Sequence, residues 1–228
     1  LIIYCNNMAR QIFIDTANVE DIKLWKNRGI CAGVTTNQKL FLAEKGVDFR
    51  KTILVMCNFA KVPISVELTG HESVEKMIKE AKTYASWHKY IVVKVPMTPD
   101  GMGLTVLRKL KNLGVKTNAT LMMSFEQMLL SIIAGATYAS IFYNRAKDAG
   151  YDPQEIIRRT RVFIDAGSYK SQIITGSIRD IGDVGNAFAA GSDIVTTPPK
   201  ILDLMLKEEM TQKTMEEFDA AWEAFKKN

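Results

Sequence analysis

The sequence predicts a single (β/α)8 barrel followed by an additional C-terminal helix. Three observations carry that expectation. Short β-like runs alternate with amphipathic helical stretches from Gln11 onward, eight times over. No low-complexity linker divides them. A doubly wound open sheet would give a similar alternation, but no Gly-x-Gly-x-x-Gly fingerprint follows the first strand.

The strands are expected near Ile12–Thr16, Gly33–Asn37, Pro63–Leu68, Ile91–Met97, Val115–Leu121, Tyr138–Tyr143, Gln172–Ser177 and Asp193–Thr197. The intervening segments carry helical periodicity. Val74, Met77, Ile78, Ala81 and Ala85 draw one apolar stripe, and Leu104, Leu107, Leu110 and Leu113 draw another. Gly114, Gly135 and Gly191 stand where helices should stop before the next strand. Beyond the eighth unit, a helix over 211–227 places Met215, Phe218, Trp222 and Phe225 on one face. That face suits either covering the barrel or pairing with a neighbouring subunit. Leu1 to Asn7 precede Met8 and do not belong to the pattern, so 1–7 reads as a non-native or disordered extension and 8–228 as the barrel domain.

The bulk numbers narrow the function. With 228 residues, 47% hydrophobic and 24% charged, the chain has an ordinary globular composition and buries a substantial core. A formal charge of +5 favours anionic small molecules, yet no basic stripe with interleaved aromatics marks a nucleic-acid binder. Arg158-Arg159-Thr160-Arg161 reads as the solvated face of a helix. Cys5, Cys31 and Cys57 show neither metal-ligand spacing nor a Cys-x-x-Cys pair, which fits a reducing, cytoplasmic setting. No apolar run reaches the length of a membrane span, and His71 and His88 read as surface residues near helix ends.

Lys94 is the most informative residue. It interrupts the apolar run Ile91-Val92-Val93-Lys94-Val95-Pro96-Met97, which otherwise reads as a strand buried on both faces. Desolvation opposes a lysine's charge and favours the free amine, a nucleophile. A buried stem with the ammonium reaching a carboxylate or solvent is the alternative. Side chains alternate along a strand, so parity sorts what shares the interior. If Ile91, Val93 and Val95 face the helices, Val92 and Lys94 point inward. By the same rule Asp15 points in with Phe13, and Glu67 with Ser65; Thr35 and Asn37 share a parity, as do Asn118 and Thr120. Carboxylates, amides, a hydroxyl and an amine are thereby aimed at the C-terminal end of one barrel, where active sites of this architecture lie. After the seventh strand, Gly176-Ser177-Ile178-Arg179 brings a hydroxyl and a guanidinium to the start of a helix near Asp180, and Arg145 follows the sixth strand. Together with helix-terminal amides they suit a phosphate.

These segments resemble the transaldolase family, specifically its small subfamily that also contains fructose-6-phosphate aldolases. The resemblance runs from about Ile12 to Phe225. It rests on Ile14-Asp15-Thr16-Ala17, Gly33-Val34-Thr35-Thr36-Asn37, Val92-Val93-Lys94-Val95-Pro96, Asn118-Ala119-Thr120-Leu121, Ala134-Gly135-Ala136 and Gly176-Ser177-Ile178-Arg179, in that order. One departure is visible: the family's proline after the asparagine is Gln38 here.

The resemblance implies that Lys94 forms a Schiff base with a ketose phosphate and that Asp15 takes the C4 hydroxyl proton. Glu67 and Thr120 would hold a catalytic water. Asn37 and Asn118 would hold the dihydroxyacetone fragment, with Thr35 and Phe142 lining the site, and Arg145, Ser177 and Arg179 would bind phosphate. It implies sugar-phosphate substrates, no cofactor, no metal, and a homo-oligomer of five or ten subunits. The aldolase relatives look to have glutamine at the position of Glu67 and tyrosine at that of Phe142, so transaldolase is favoured over an aldolase that releases free dihydroxyacetone. A non-catalytic sugar-phosphate-binding barrel needs no nucleophile on the fourth strand, and a phosphosugar isomerase has no need of an inward lysine beside Asp15 and Glu67.

Overall fold

The computed structural model describes residues 9–227, so the expectation for 1–7 lies outside the described residues. Its elements run in the order β1 (Gln11–Asp15), α1 (Val19–Asn27), β2 (Cys31–Thr35), α2 (Gln38–Ala43), α3 (Phe49–Ala60), β3 (Ile64–Glu67), α4 (Val74–Trp87), β4 (Ile91–Pro96), α5 (Met102–Asn112), β5 (Thr117–Met122), α6 (Phe125–Ala134), β6 (Tyr138–Phe142), α7 (Tyr143–Asp148), α8 (Pro153–Ala166), β7 (Gln172–Gly176), α9 (Ile181–Ala190), β8 (Ile194–Thr197), α10 (Pro199–Met205) and α11 (Glu209–Phe225). Each strand pairs in parallel with the next, and β8 closes on β1. This is the (β/α)8 barrel that the alternation predicts. Two connections hold an extra short helix, α2 after β2 and α7 after β6, and both begin at the strand ends where the site lies.

Alternation along the strands divides the apolar residues into two separate clusters. The larger lies between sheet and helices and takes the outward residues, among them Ile14, Val34, Val66, Val93, Val95, Ile141 and Val195. The smaller fills the barrel interior with Phe13, Val92, Tyr138, Ile174 and Ile194. Phe13 lies so close to Gly33 that a Cβ there would collide with its ring, which explains a glycine in mid-strand. Two residues further along, the interior turns polar on four of these five strands: Asp15 follows Phe13, Lys94 follows Val92, Ser140 follows Tyr138 and Thr196 follows Ile194, while Gly176 follows Ile174. The apolar layer plugs the barrel and the polar layer above it faces the open C-terminal end.

The helices dock as their stripes require. Met77 and Ala81 of α4 are fully buried, with Val74, Ile78 and Ala85 packed against the core. On α5, Leu107 and Leu110 are buried, while Leu113 caps the helix end and is exposed. Gly135 and Gly191 end α6 and α9 in the left-handed conformation, with φ of 98° and 110°.

One expectation is corrected and another is narrowed. Arg161 is not on a solvated face: its guanidinium bonds Asp165 at 2.6 Å and Asp193 at 3.1 Å, tying α8 to the start of β8. Asp193 is buried, and that burial raises its carboxyl above the usual range against the pull of the Ile173 amide and Arg161. Of the two roles open to the final helix, covering the barrel is not the one seen among the described residues. No residue of α11 is buried, and Phe218, Trp222 and Phe225 are 71%, 56% and 68% exposed. Among the described residues, no helix is long and apolar enough to cross a membrane.

Candidate active site

At the C-terminal mouth of the barrel a cavity of about 160 Å³ is lined by Asp15, Thr35, Asn37, Lys94, Ser140, Phe142, Arg145, Gly176, Ser177 and Thr196. Lys94 lines it while only 5% exposed. Its Nζ lies 2.9 Å from Glu67 Oε2 and donates to the carbonyl of Thr36 at 3.2 Å. The register explains the pairing, because Glu67 and Lys94 are direct neighbours across β3 and β4. A buried lysine this close to a carboxylate has a resident partner for proton exchange.

Asp15 approaches from β1. It keeps some surface toward the cavity but sits deep, and burial raises its carboxyl above the ordinary carboxylate range. Lys94 and a 2.7 Å hydrogen bond from Thr35 pull the other way, while the charge of Glu67 adds to the rise. The site therefore holds two carboxylates in different surroundings: Glu67 in contact with the amine, and Asp15 held by the Thr35 hydroxyl.

Asn37 sits just past β2 and caps α2, its side-chain oxygen accepting from the amides of Lys39 and Leu40. With Oδ1 taken by the cap, the amide NH2 group is the part of Asn37 left to donate to a ligand in the cavity it lines. Gln38, in place of the family's proline, occupies the first helical position, where proline and ordinary residues are both accepted. Its Nε2 donates to the carbonyl of Leu68 at 2.9 Å, binding α2 to the end of β3 beside Glu67.

Asn118 is fully buried and does not line the cavity. It donates to Ser65 at 3.2 Å and accepts from Ser140 at 2.6 Å, so Ser140 stands between it and the open space. Thr120 is buried beside it, and its hydroxyl has no hydrogen-bond partner among the described residues. The Phe142 ring lies 6.0 Å from Lys94 Nζ and 5.8 Å from the Arg145 guanidinium, so both cations approach one aromatic ring.

The anion end is partly assembled. Arg145 and Ser177 reach the cavity, but Arg179 does not line it and is held in a bidentate pair with Asp148 at 2.6 Å and 3.1 Å. The helix-terminal amides expected to join them are already engaged: Arg179 and Asp180 donate to Asp183, and Gly182 to Asp180. Ser177 has a left-handed backbone, φ 60°, which costs a non-glycine residue about 1–3 kcal/mol. Asn144 stabilises it, donating from Nδ2 to the Ser177 carbonyl at 2.9 Å and to Asp183 at 2.6 Å.

Sequence reasoning missed Ser140 and Thr196 as lining residues, and Ser65, Asn144 and Asp183 as supports. The first two were accessible by parity, since each lies two residues beyond an inward apolar residue. Asn144 and Asp183 are brought together only by the fold.

Fold and cavity together define a (β/α)8 barrel whose interior presents a lysine flanked by carboxylates, with an arginine at the rim. The family model described as Transaldolase/Fructose-6-phosphate aldolase matches residues 12–228. The chain belongs to the transaldolase/fructose-6-phosphate aldolase family. A probable transaldolase of Streptococcus equi subsp. zooepidemicus is 38% identical over 217 residues, covering 95% of this chain and 100% of the relative. Probable transaldolases of Carboxydothermus hydrogenoformans and Maridesulfovibrio salexigens are 37% and 39% identical with the same coverage. A solved mandelate oxidase variant carrying a monooxide FMN adduct shares only the fold. It has a TM-score of 0.54 at 13% identity, over 85% of this chain and 64% of its own length.

Proposed function

We propose that the protein is a transaldolase of the pentose phosphate pathway. It would move a dihydroxyacetone unit from fructose 6-phosphate or sedoheptulose 7-phosphate to erythrose 4-phosphate or glyceraldehyde 3-phosphate. One observation carries the reading: a buried amine, Lys94, stands in an open cavity between two carboxylates of different character. Membership of the family and the relatives named probable transaldolase support it.

The chemistry follows from the placement. The free amine of Lys94 attacks the C2 carbonyl of the ketose, and loss of water from the carbinolamine leaves an iminium. Glu67, with a water held by the Thr120 hydroxyl, takes and returns protons in that step. Asp15 removes the C4 hydroxyl proton as the C3–C4 bond breaks. The bonding pair moves into the iminium to give an enamine, and the aldose phosphate departs with the new carbonyl on its former C4. Asn37, and Asn118 acting with Ser140, hold the hydroxyls of the fragment that remains. The enamine carbon then attacks the acceptor aldehyde, Asp15 gives its proton to the new hydroxyl, and water hydrolyses the imine to release Lys94. Arg145 and Ser177 hold the distal phosphate and so set which carbon meets the amine. Arg179 joins them by exchanging Asp148 for the phosphate.

Simple cleavage is the second reading. The carboxylate of Glu67 against Lys94, and a phenylalanine at 142 with no hydroxyl to give, favour transfer. Supplied with fructose 6-phosphate, the protein should release little dihydroxyacetone alone and form sedoheptulose 7-phosphate once erythrose 4-phosphate is added. Rapid release of free dihydroxyacetone without acceptor would establish the aldolase instead, and no turnover in either case a binding barrel.

Assembly is part of the same proposal. The apolar face of α11 finds no cover among the described residues, and a second copy would bury it in a homo-oligomer of five or ten subunits. Light scattering should give that mass for the wild type and a smaller one for F218E/W222E; an unchanged mass in the variant would remove α11 from the interface. The buried free thiols of Cys31 and Cys57 are consistent with a reducing, cytoplasmic compartment.

A further inference from the structure

Thr196 of β8 is absent from every motif discussed so far, yet it faces the cavity and is joined to Asp15 through one intervening hydroxyl. Thr35 Oγ1 lies 2.7 Å from Asp15 Oδ1 and 2.6 Å from Thr196 Oγ1, and both threonines are buried. The spacing alone does not say which threonine donates to the other. Valence does. A hydroxyl has one hydrogen to donate, and an ionised carboxylate has none. Thr35 must therefore donate to Asp15, and the hydrogen between the two threonine oxygens must come from Thr196. Nothing remains on Thr196 to donate toward the cavity, so its free lone pairs face the cavity as an acceptor.

We infer that Thr196 is a positioning residue. Acting through Thr35, it holds one oxygen of Asp15 in a hydroxyl ladder, leaves the other for the substrate proton, and meets the bound sugar only as an acceptor for a hydroxyl. The inference rests on the Schiff-base reading above for the task it assigns to Asp15. The ladder joins β8 to β2 across the inner side of β1, which lies between them, and ends on β1 itself, so it needs no residue from the helices. It also sets the strength of the base. A hydroxyl that accepts a hydrogen bond becomes a better donor, so Thr196 strengthens the bond from Thr35 and favours the charged form of Asp15. The other groups acting on Asp15 are Lys94 from β4 and Glu67 from β3, with Arg145 of α7 lining the same cavity.

Two variants separate the hydroxyl from the packing. Thr196→Val keeps the branched shape, including a methyl on the side where the Thr196 Cγ2 approaches Gly176, and Thr196→Ser keeps only the hydroxyl. In Thr196→Val the acid limb of kcat/KM should move up by about 0.5 pH unit, a fraction of a hydrogen bond to a charged group. The plateau should fall about tenfold, the loss of one bond to the sugar. Thr196→Ser should restore the wild-type limb. An acid limb in Thr196→Val that matches wild type would overturn the inference, as would one in Thr196→Ser that matches valine. NMR titration of the Asp15 carboxyl carbon in the ligand-free protein reads the same ladder whatever chemistry Lys94 performs. An unmoved Asp15 titration in Thr196→Val therefore removes the ladder alone, whereas absence of a borohydride-trapped adduct in the wild type removes the Schiff base alone.

Discussion

Lys94→Met is expected to lower turnover by on the order of 10⁴-fold or more, because losing a nucleophile leaves only binding and orientation to act on the substrate. The same variant should give no mass increase after fructose 6-phosphate and borohydride, where the wild type gains the reduced fragment. A second consequence separates loss of chemistry from loss of fold. Methionine strands Glu67, whose side chain is only 9% exposed and whose salt-bridge partner is the amine at 2.9 Å. Breaking a buried pair costs about 3–5 kcal/mol unless the orphaned carboxylate takes up a proton. Lys94→Met should therefore melt lower than wild type at neutral pH. Adding Glu67→Gln removes the stranded charge, so the double variant should regain much of the thermal stability and none of the turnover. Full turnover in Lys94→Met would refute the proposed mechanism outright.

Asp15→Asn should reduce kcat by about 10²- to 10⁴-fold, the usual contribution of a general base, while the borohydride adduct on Lys94 persists. The imine would still form, and the carbon–carbon bond would stay intact. Stability should move in the opposite direction. Burial raises Asp15 above its ordinary range despite Lys94 and Thr35, so the native state holds that proton more tightly than the unfolded chain does. As pH rises from the unfolded value through the raised native one, the unfolded state loses the proton first, and stability falls. The cost is present at neutral pH and absent in acid. Asparagine escapes it, so the variant should melt higher than wild type near neutrality and about equally below the unfolded carboxylate range. A base held at the expense of stability is common in active sites. The same raised carboxyl places the acid limb of wild-type activity above the range of an ordinary aspartate. A lower melting temperature at neutral pH, or unchanged kcat, would contradict the assignment.

Much of the site was legible because barrel strands obey a period of two. Val92 and Lys94, and Phe13 and Asp15, are inward pairs that parity alone identifies, and the two apolar clusters follow the same rule. The resemblance added roles that parity could not. Other features were out of reach for identifiable reasons. Arg161 looks like one more surface arginine until α8 meets Asp193, and nothing in the sequence pairs Arg179 with Asp148, 31 residues away. Nothing local to Asn144 or Asp183 indicates that together they hold the strained turn at Ser177.

Periodicity and alternation determined the barrel and the face on which the strand residues lie, because each is a property of a few neighbouring residues, and the resemblance of the motifs pointed to the family. The tertiary structure alone decided which inward residues touch. The Lys94–Glu67 contact, the Thr196–Thr35–Asp15 ladder and the bare face of α11 depend on strand register and barrel closure, and those are set by contacts between segments far apart in the chain.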